Sequence, residues 1–265
     1  MIALAPDFTI IGFEVLEHEE DPGLGGEIEQ EYFKNQFKGK PYDVFKGVDV
    51  VKAPIPSDYM EALEIKISGE DLEKVMAKYR GKYDEGWDVI RERWFARQLE
   101  LGVIPAGTQL APRNPGVDAW DDLSENQQRF NCRLQEAFAA FLDHTDDQIG
   151  RLVDGLRDMG ELENTIVVVL ADNGASQEGG PFGVMHEMKF FNGIFESADQ
   201  MIDQIDDIGG PHSHTNYPWG WAQAGNSPFK WYKQNTHEGG VHVPMIVSAP
   251  GLAEPGALRD QFVNV

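Results

Sequence analysis

The segment "NTIVVVLADNG", residues 164–174, constrains the fold more than any other part of the chain. Its apolar residues run without alternation, are mostly β-branched, and stop at an acid, an amide and a glycine. A half-buried strand would alternate, so a short unbroken run fits a strand covered by helices on both faces, as in a parallel sheet. The residues ahead of it supply a helix, "SENQQRFNCRLQEAFAAFLDHTDDQIGRLVDGLRDMG". Ser124 and Gln127 have capping-box spacing and Gly160 gives a stop. Phe130, Leu134, Phe138, Phe141, Ile149, Leu152, Val153 and Leu156 trace one apolar stripe. Within this helix Asp143, His144, Asp146 and Asp147 read as a solvated face. A second candidate strand, "VPMIVSAP" at 243–250, lies beyond a long irregular segment. The predicted class is α/β.

The rest of the chain is less informative. "FTIIGFEV" reads as a short strand. "SGEDLEKVMAKY" has a capping-box start at Ser68 and Asp71, with Leu72, Val75, Met76 and Tyr79 on one face. "WDVIRERWFARQLELG" reads as a helix closed by Gly102. The segment 181–231 holds four prolines and three tryptophans, and with them His186, His212 and His214. A loop this long and this aromatic is expected to be functional rather than disordered.

Composition then restricts the partners. Forty-five acids against 22 lysines and arginines give a net charge of -23. Such a field repels nucleic acid and anionic membrane surfaces, and both are set aside as partners. An anionic substrate would need a local cation to overcome the same field. The 41% of hydrophobic residues suffices for a core, and no apolar run approaches the ~18 residues of a membrane span. The N-terminus lacks the basic flank and long apolar region of a signal peptide, so a cytoplasmic or periplasmic location is expected. With Cys132 as the only cysteine, no intrachain disulfide can form.

Asp172 and Asn173 admit two readings. Asn-Gly is a strong signal for a type I′ hairpin turn. An alternating strand should then follow Gly174, whereas "ASQEGGPFGVMHEM" is polar and glycine-rich. The other reading uses topology, because ligands of open α/β sheets bind outside the carboxyl ends of the strands. A carboxylate and an amide carbonyl are hard oxygen donors suited to Ca²⁺ or Mg²⁺, and further ligands would have to come from elsewhere.

"GELENTIVVVLADNG", followed by "YPWGWAQAGNSPFKWYKQNTHEGGVHVPMIVSAPG", resembles the type I sulfatases of the arylsulfatase group, in the alkaline phosphatase superfamily. "KYRGKYDEGWDVIRERWFARQLELGVI" is similar as well, so the resemblance runs from about Lys78 to Val265. It implies a mixed, mostly parallel sheet flanked by helices, incomplete at both ends. Residues 1–60 match nothing, and 61–265 would be part of a sulfatase catalytic domain. The resemblance further implies that Asp172 and Asn173 are two ligands of a divalent metal, most often Ca²⁺. It makes Lys233 the lysine that holds the sulfate group of a small-molecule sulfate ester, where Lys233 could otherwise be a solvated surface lysine. His237 either approaches the site or satisfies a local hydrogen bond. Glu238, Gly239 and Gly240 are expected to shape the turn before the strand.

The same family uses a formylglycine nucleophile made from the first residue of a Cys/Ser-x-Pro-x-Arg motif. The 265 residues contain no such motif: Cys132 continues as "CRLQE" and Ser248 as "SAPGL". The family's paired aspartates at the end of a first strand are not found either. A fragment without turnover of its own is therefore expected. The alternatives are a noncatalytic module for divalent cations or sulfated ligands, and a phosphatase or phosphonate monoester hydrolase of the same superfamily. Oligomeric state is not legible.

Overall fold

The structure is a computed structural model that describes residues 2–4, 10–13, 74–251, 254–260 and 263, the first two stretches by their backbone alone. The expected cap at Ser68 and Asp71, together with Leu72, lies outside the described residues. The chain divides into two compact units, 1–56 and 57–265. In the first, β1 (Ile2–Leu4) pairs antiparallel with β2 (Ile10–Phe13).

The second unit is built on two helices. After a helical turn at 74–77 comes α1 (Gly86–Leu101), which ends at Gly102 with a φ of 71°. The long helix α2 (Glu125–Asp158) starts at Ser124 with both halves of the capping box formed. The Gln127 backbone N–H donates to Ser124 Oγ at 3.3 Å, and the Ser124 N–H donates to Gln127 Oε1 at 2.8 Å. Four short helices follow: α3 (Glu187–Phe191), α4 (Ala198–Met201), α5 (Trp219–Gly225) and α6 (Glu238–Val241). Within the long irregular segment Tyr217 and Trp221 are buried in the core, whereas Phe182, Phe191 and Phe195 are exposed.

The core sits where α1, the N-terminal half of α2 and α5 meet. Trp87, Trp120 and Trp221 pack edge to face, with ring centroids 4.8 to 5.9 Å apart. Edge-to-face contact aligns positive ring edges with negative faces and adds about 1 kcal/mol per pair beyond area burial. Phe130 and Leu134 fill the space beneath them, fully buried. Further along α2 the apolar stripe is covered in part, with Ile149, Val153 and Leu156 half-buried. Phe138, Phe141 and Leu152 are exposed, so the stripe predicted as one buried face is half buried. On the polar side, Lys78 Nζ donates to Asp143 at 2.9 Å, while Asp146 and Asp147 are solvated.

β3 (Val167–Leu170) does follow α2, and its partner lies in the second candidate strand, but the direction of pairing differs from a parallel sheet. It pairs antiparallel with β4 (Met245–Ser248), in a register that sets Val167 opposite Ser248 and Leu170 opposite Met245. Neither strand is covered on both faces. β3 alternates between half-buried and exposed residues, and every residue of β4 is exposed. The unbroken apolar run records a demand for cover that the described residues do not meet. Among the described residues no helix is long and apolar enough to cross a membrane.

Candidate functional site

At the end of β3 the chain bends through Asp172, Asn173 and Gly174. Among the described residues, positive φ angles are confined to other glycines and to Trp231 and Gln234, so the Asn-Gly pair does not form a type I′ turn. The bend leads instead into a loop that docks on the segment 226–240. Gly174 N–H donates to Gly240 O at 3.0 Å, and Lys233 N–H donates to Ala175 O at 3.1 Å. Ala175 N–H donates to Asn226 Oδ1 at 2.9 Å, and Asn226 Nδ2 continues to Trp231 O at 3.2 Å. One amide side chain at the end of α5 therefore ties both segments together.

The contact is close enough to dictate glycine. A Cβ on Gly174 would stand 1.8 Å from Gly239 O, one on Gly239 2.1 Å from Trp231 O, and one on Gly240 1.9 Å from Asn235 O. No side chain survives such separations, so Gly174 is needed where the loop meets the 239–240 turn, and Gly239 and Gly240 are needed where that turn folds back on residues 230–235. The far segment is held in turn from the core. Trp231 N–H donates to the buried Asn114 Oδ1 at 3.2 Å, and Gln223 of α5 fixes the Asn114 backbone through its Oε1.

This latch sets Lys233 facing the 174–180 loop. Its Nζ donates to Glu178 Oε1 at 3.0 Å, and Ser176 Oγ donates to the other carboxylate oxygen at 2.8 Å. Partial burial pushes the Glu178 carboxyl up, but the hydrogen bonds from Lys233 and Ser176 and the lysine's charge together bring it below its ordinary value. Both partners are partly exposed, at 33% and 25%, so the pair contributes about 1 kcal/mol or less to stability. Beside it, Gln177 Nε2 donates to Gln234 Oε1 at 2.6 Å.

The expected site residues are thus placed as follows. Asp172 is exposed and Asn173 half-buried, at the head of the loop that reaches Lys233. Their oxygens fit a hard divalent cation in kind. Two of them fall short of the roughly six to eight that Ca²⁺ takes, and the described residues hold no group of three or more acids, histidines or cysteines that could complete a metal site. His237 precedes α6 and is exposed, with its ring tilted 6.1 Å from that of Trp231. Glu238, Gly239 and Gly240 form the helical turn ahead of β4. His186 and His214 face each other across an isolated bridge, and His214 Nδ1 lies 3.1 Å from Glu187, away from Lys233's contacts.

Glu178, Ser176 and Asn226 were not singled out from the sequence. Glu178 and Asn226 take their roles from partners 55 and 51 residues away, Ser176 acts on Glu178 two residues on, and no local pattern marks them. Cys132 is buried inside α2, its Sγ against Tyr83 O at 3.4 Å, and burial with Asp84 and Glu136 nearby pushes its thiol up to about 12. Such a thiol is not a nucleophile near neutral pH. A cleft of about 430 Å³ opens beside it, lined among others by Arg80, Trp120, Arg129 and Arg133, with no member of the Lys233 latch in its wall.

Comparison with known proteins assigns the chain to a family. The sulfatase family model matches residues 72–265, which takes in α1, α2, β3, the latch and β4. An uncharacterized sulfatase of Schizosaccharomyces pombe is 31% identical over 253 residues, covering 94% of this chain and 44% of its own length. An arylsulfatase of Klebsiella aerogenes is 28% identical over 182 residues, covering 68% of this chain and 37% of its own length. The chain therefore spans less than half of either of these relatives. With the family model covering most of its length, the chain belongs to the sulfatase family.

Proposed function

We propose that this chain carries part of the anion site and part of the divalent-metal site of a sulfuric ester hydrolase, with Asp172 and Asn173 as metal ligands and Lys233 as the lysine that holds the sulfate group. The observation that carries this reading is the latch itself. It joins the loop headed by Asp172 and Asn173 to the segment bearing Lys233 through two backbone hydrogen bonds, at one of which the close approach requires glycine at 174.

The chemistry is consistent. Cleavage of a sulfate ester builds negative charge on nonbridging and leaving oxygens, and a fixed ammonium aimed at that charge stabilises the transition state. A bound divalent cation would supply Lewis-acid polarisation of the same oxygens. Lys233 has one N–H on Glu178 and two further donors for sulfate oxygens. Glu178 and the Lys233 backbone bond to Ala175 O restrict where those donors point. His237, exposed at the start of α6, is left as a residue at the rim.

Family membership carries an alkaline phosphatase-like α/β fold. We infer that β3 and β4 belong to a larger mixed, mostly parallel sheet, an inference supported by their exposed apolar faces. The residues of this chain supply no nucleophile, since the motif is missing and the one thiol is buried. The chain alone is therefore expected to bind without turnover. Incubation of the purified chain with an aryl sulfate and Ca²⁺ should release no phenol above buffer, and phenyl phosphate should fare no better. Clear turnover of the sulfate ester would overturn the inactive reading, and preferential turnover of the phosphate ester would move the chain to a phosphatase.

A further inference from the structure

Lys233 does not meet solvent as a free cation. The turn 176–180 that carries Glu178 is fixed independently of the lysine. Glu178 N–H donates to Ser176 Oγ at 3.3 Å, Gly180 N–H to Gln177 O at 3.0 Å, and Trp219 N–H to Gly180 O at 2.9 Å. Gly179 is pressed against the 216–217 backbone, where a Cβ would stand 2.1 Å from Tyr217 O. The carboxylate is thus presented to Lys233 from a rigid turn, and Asn235 Nδ2, donating to Lys233 O at 3.2 Å, helps hold the other side. Lys233, Ser176 and the buried Tyr217 are the groups that face Glu178, and only Lys233 is cationic.

From this geometry we propose that Glu178 is the built-in counter-ion of the anion site: it orients the Lys233 ammonium by one hydrogen bond and sets the affinity for sulfate by opposing it electrostatically. The proposal rests on the reading of Lys233 as the sulfate-holding lysine. A dianion arriving at Lys233 meets a neutral pair rather than a net positive charge, in a chain already at -23. Sulfate must then take the two remaining N–H donors against the carboxylate's repulsion, or shift the carboxylate onto Ser176. The site thereby discriminates against casual anions and favours ligands whose remaining contacts add binding energy. Glu178 is a positioning residue, since it acts on the ligand through Lys233.

The test is titration of inorganic sulfate by calorimetry into the wild-type chain, E178Q, E178D and K233M, with acylation of Lys233 by a limiting amine-reactive ester followed in parallel by mass spectrometry. Glutamine keeps the hydrogen bond and removes the charge. E178Q should bind sulfate roughly three- to tenfold more tightly than wild type, as expected for loss of one partly screened like charge. It should also acylate Lys233 faster, whereas E178D behaves as wild type and K233M does not bind. If binding is K233M-sensitive but E178Q is equal to or weaker than wild type, the counter-ion proposal is overturned and the proposed function stands. If no protein binds sulfate while E178Q still speeds acylation, the ion pair is real, the assignment of Lys233 to sulfate falls, and this inference falls with it.

Discussion

Gly174 shows how a single missing side chain can place a site. Its backbone donates to Gly240 O, and the space for a Cβ is occupied by Gly239 O. Gly174→Ala must push the loop off the 239–240 turn, and overpacking of this kind costs about 1–3 kcal/mol. The expected outcome is a lower midpoint of denaturant unfolding together with faster proteolysis between 172 and 180. An unchanged midpoint would show that the two segments are not latched. Asp172 and Asn173 stand out in the sequence because they interrupt an apolar run at a strand's end, where neither residue helps a strand. Lys233 stands out only through the resemblance, since nothing local separates it from a surface lysine. Glu178 was not legible at all. It is one of 45 acids, and its meaning comes from a lysine 55 positions away. Asn226, which bridges Ala175 and Trp231, is hidden for the same reason.

At the scale of the elements, local signals succeeded where the interaction is local. The Ser124–Gln127 box and the glycines at 102 and 160 mark the ends of α1 and α2, because a cap is satisfied within four residues. Strand direction is not local. Antiparallel pairing of β3 with β4 depends on how the intervening 74 residues return, and helices α3 to α6 carry that return without leaving a pattern in "TIVVVL". The consequence is an apolar pair without cover: Val168 is 46% exposed and Ile246 68%. Exposed, flat apolar strands template self-association. The double change Val168→Lys and Ile246→Lys is expected to reduce concentration-dependent association in sedimentation velocity while leaving the helical circular dichroism intact. Association that is insensitive to both changes would locate the sticky surface elsewhere, with the exposed half of the α2 stripe as the next place to substitute.

For the molecule as a whole, the net charge of -23 sets the problem that the site must solve. A field of this sign lowers the local concentration of sulfate before any contact is made. A single lysine, itself paired with Glu178, is a weak answer, whereas a divalent cation held by Asp172 and Asn173 beside it would reverse the local sign. Linkage makes this checkable, because two ligands that share a site change each other's affinity by one and the same factor. The most direct measurement is the sulfate dissociation constant with and without millimolar Ca²⁺, in the wild-type chain and in Asp172→Ala. Ca²⁺ is predicted to tighten sulfate binding about fivefold or more in the wild type, within the usual range of coupling energies, and to do nothing in the variant. Sulfate binding indifferent to Ca²⁺, or a Ca²⁺ effect that survives loss of the Asp172 carboxylate, would contradict the assignment of these residues to one shared site.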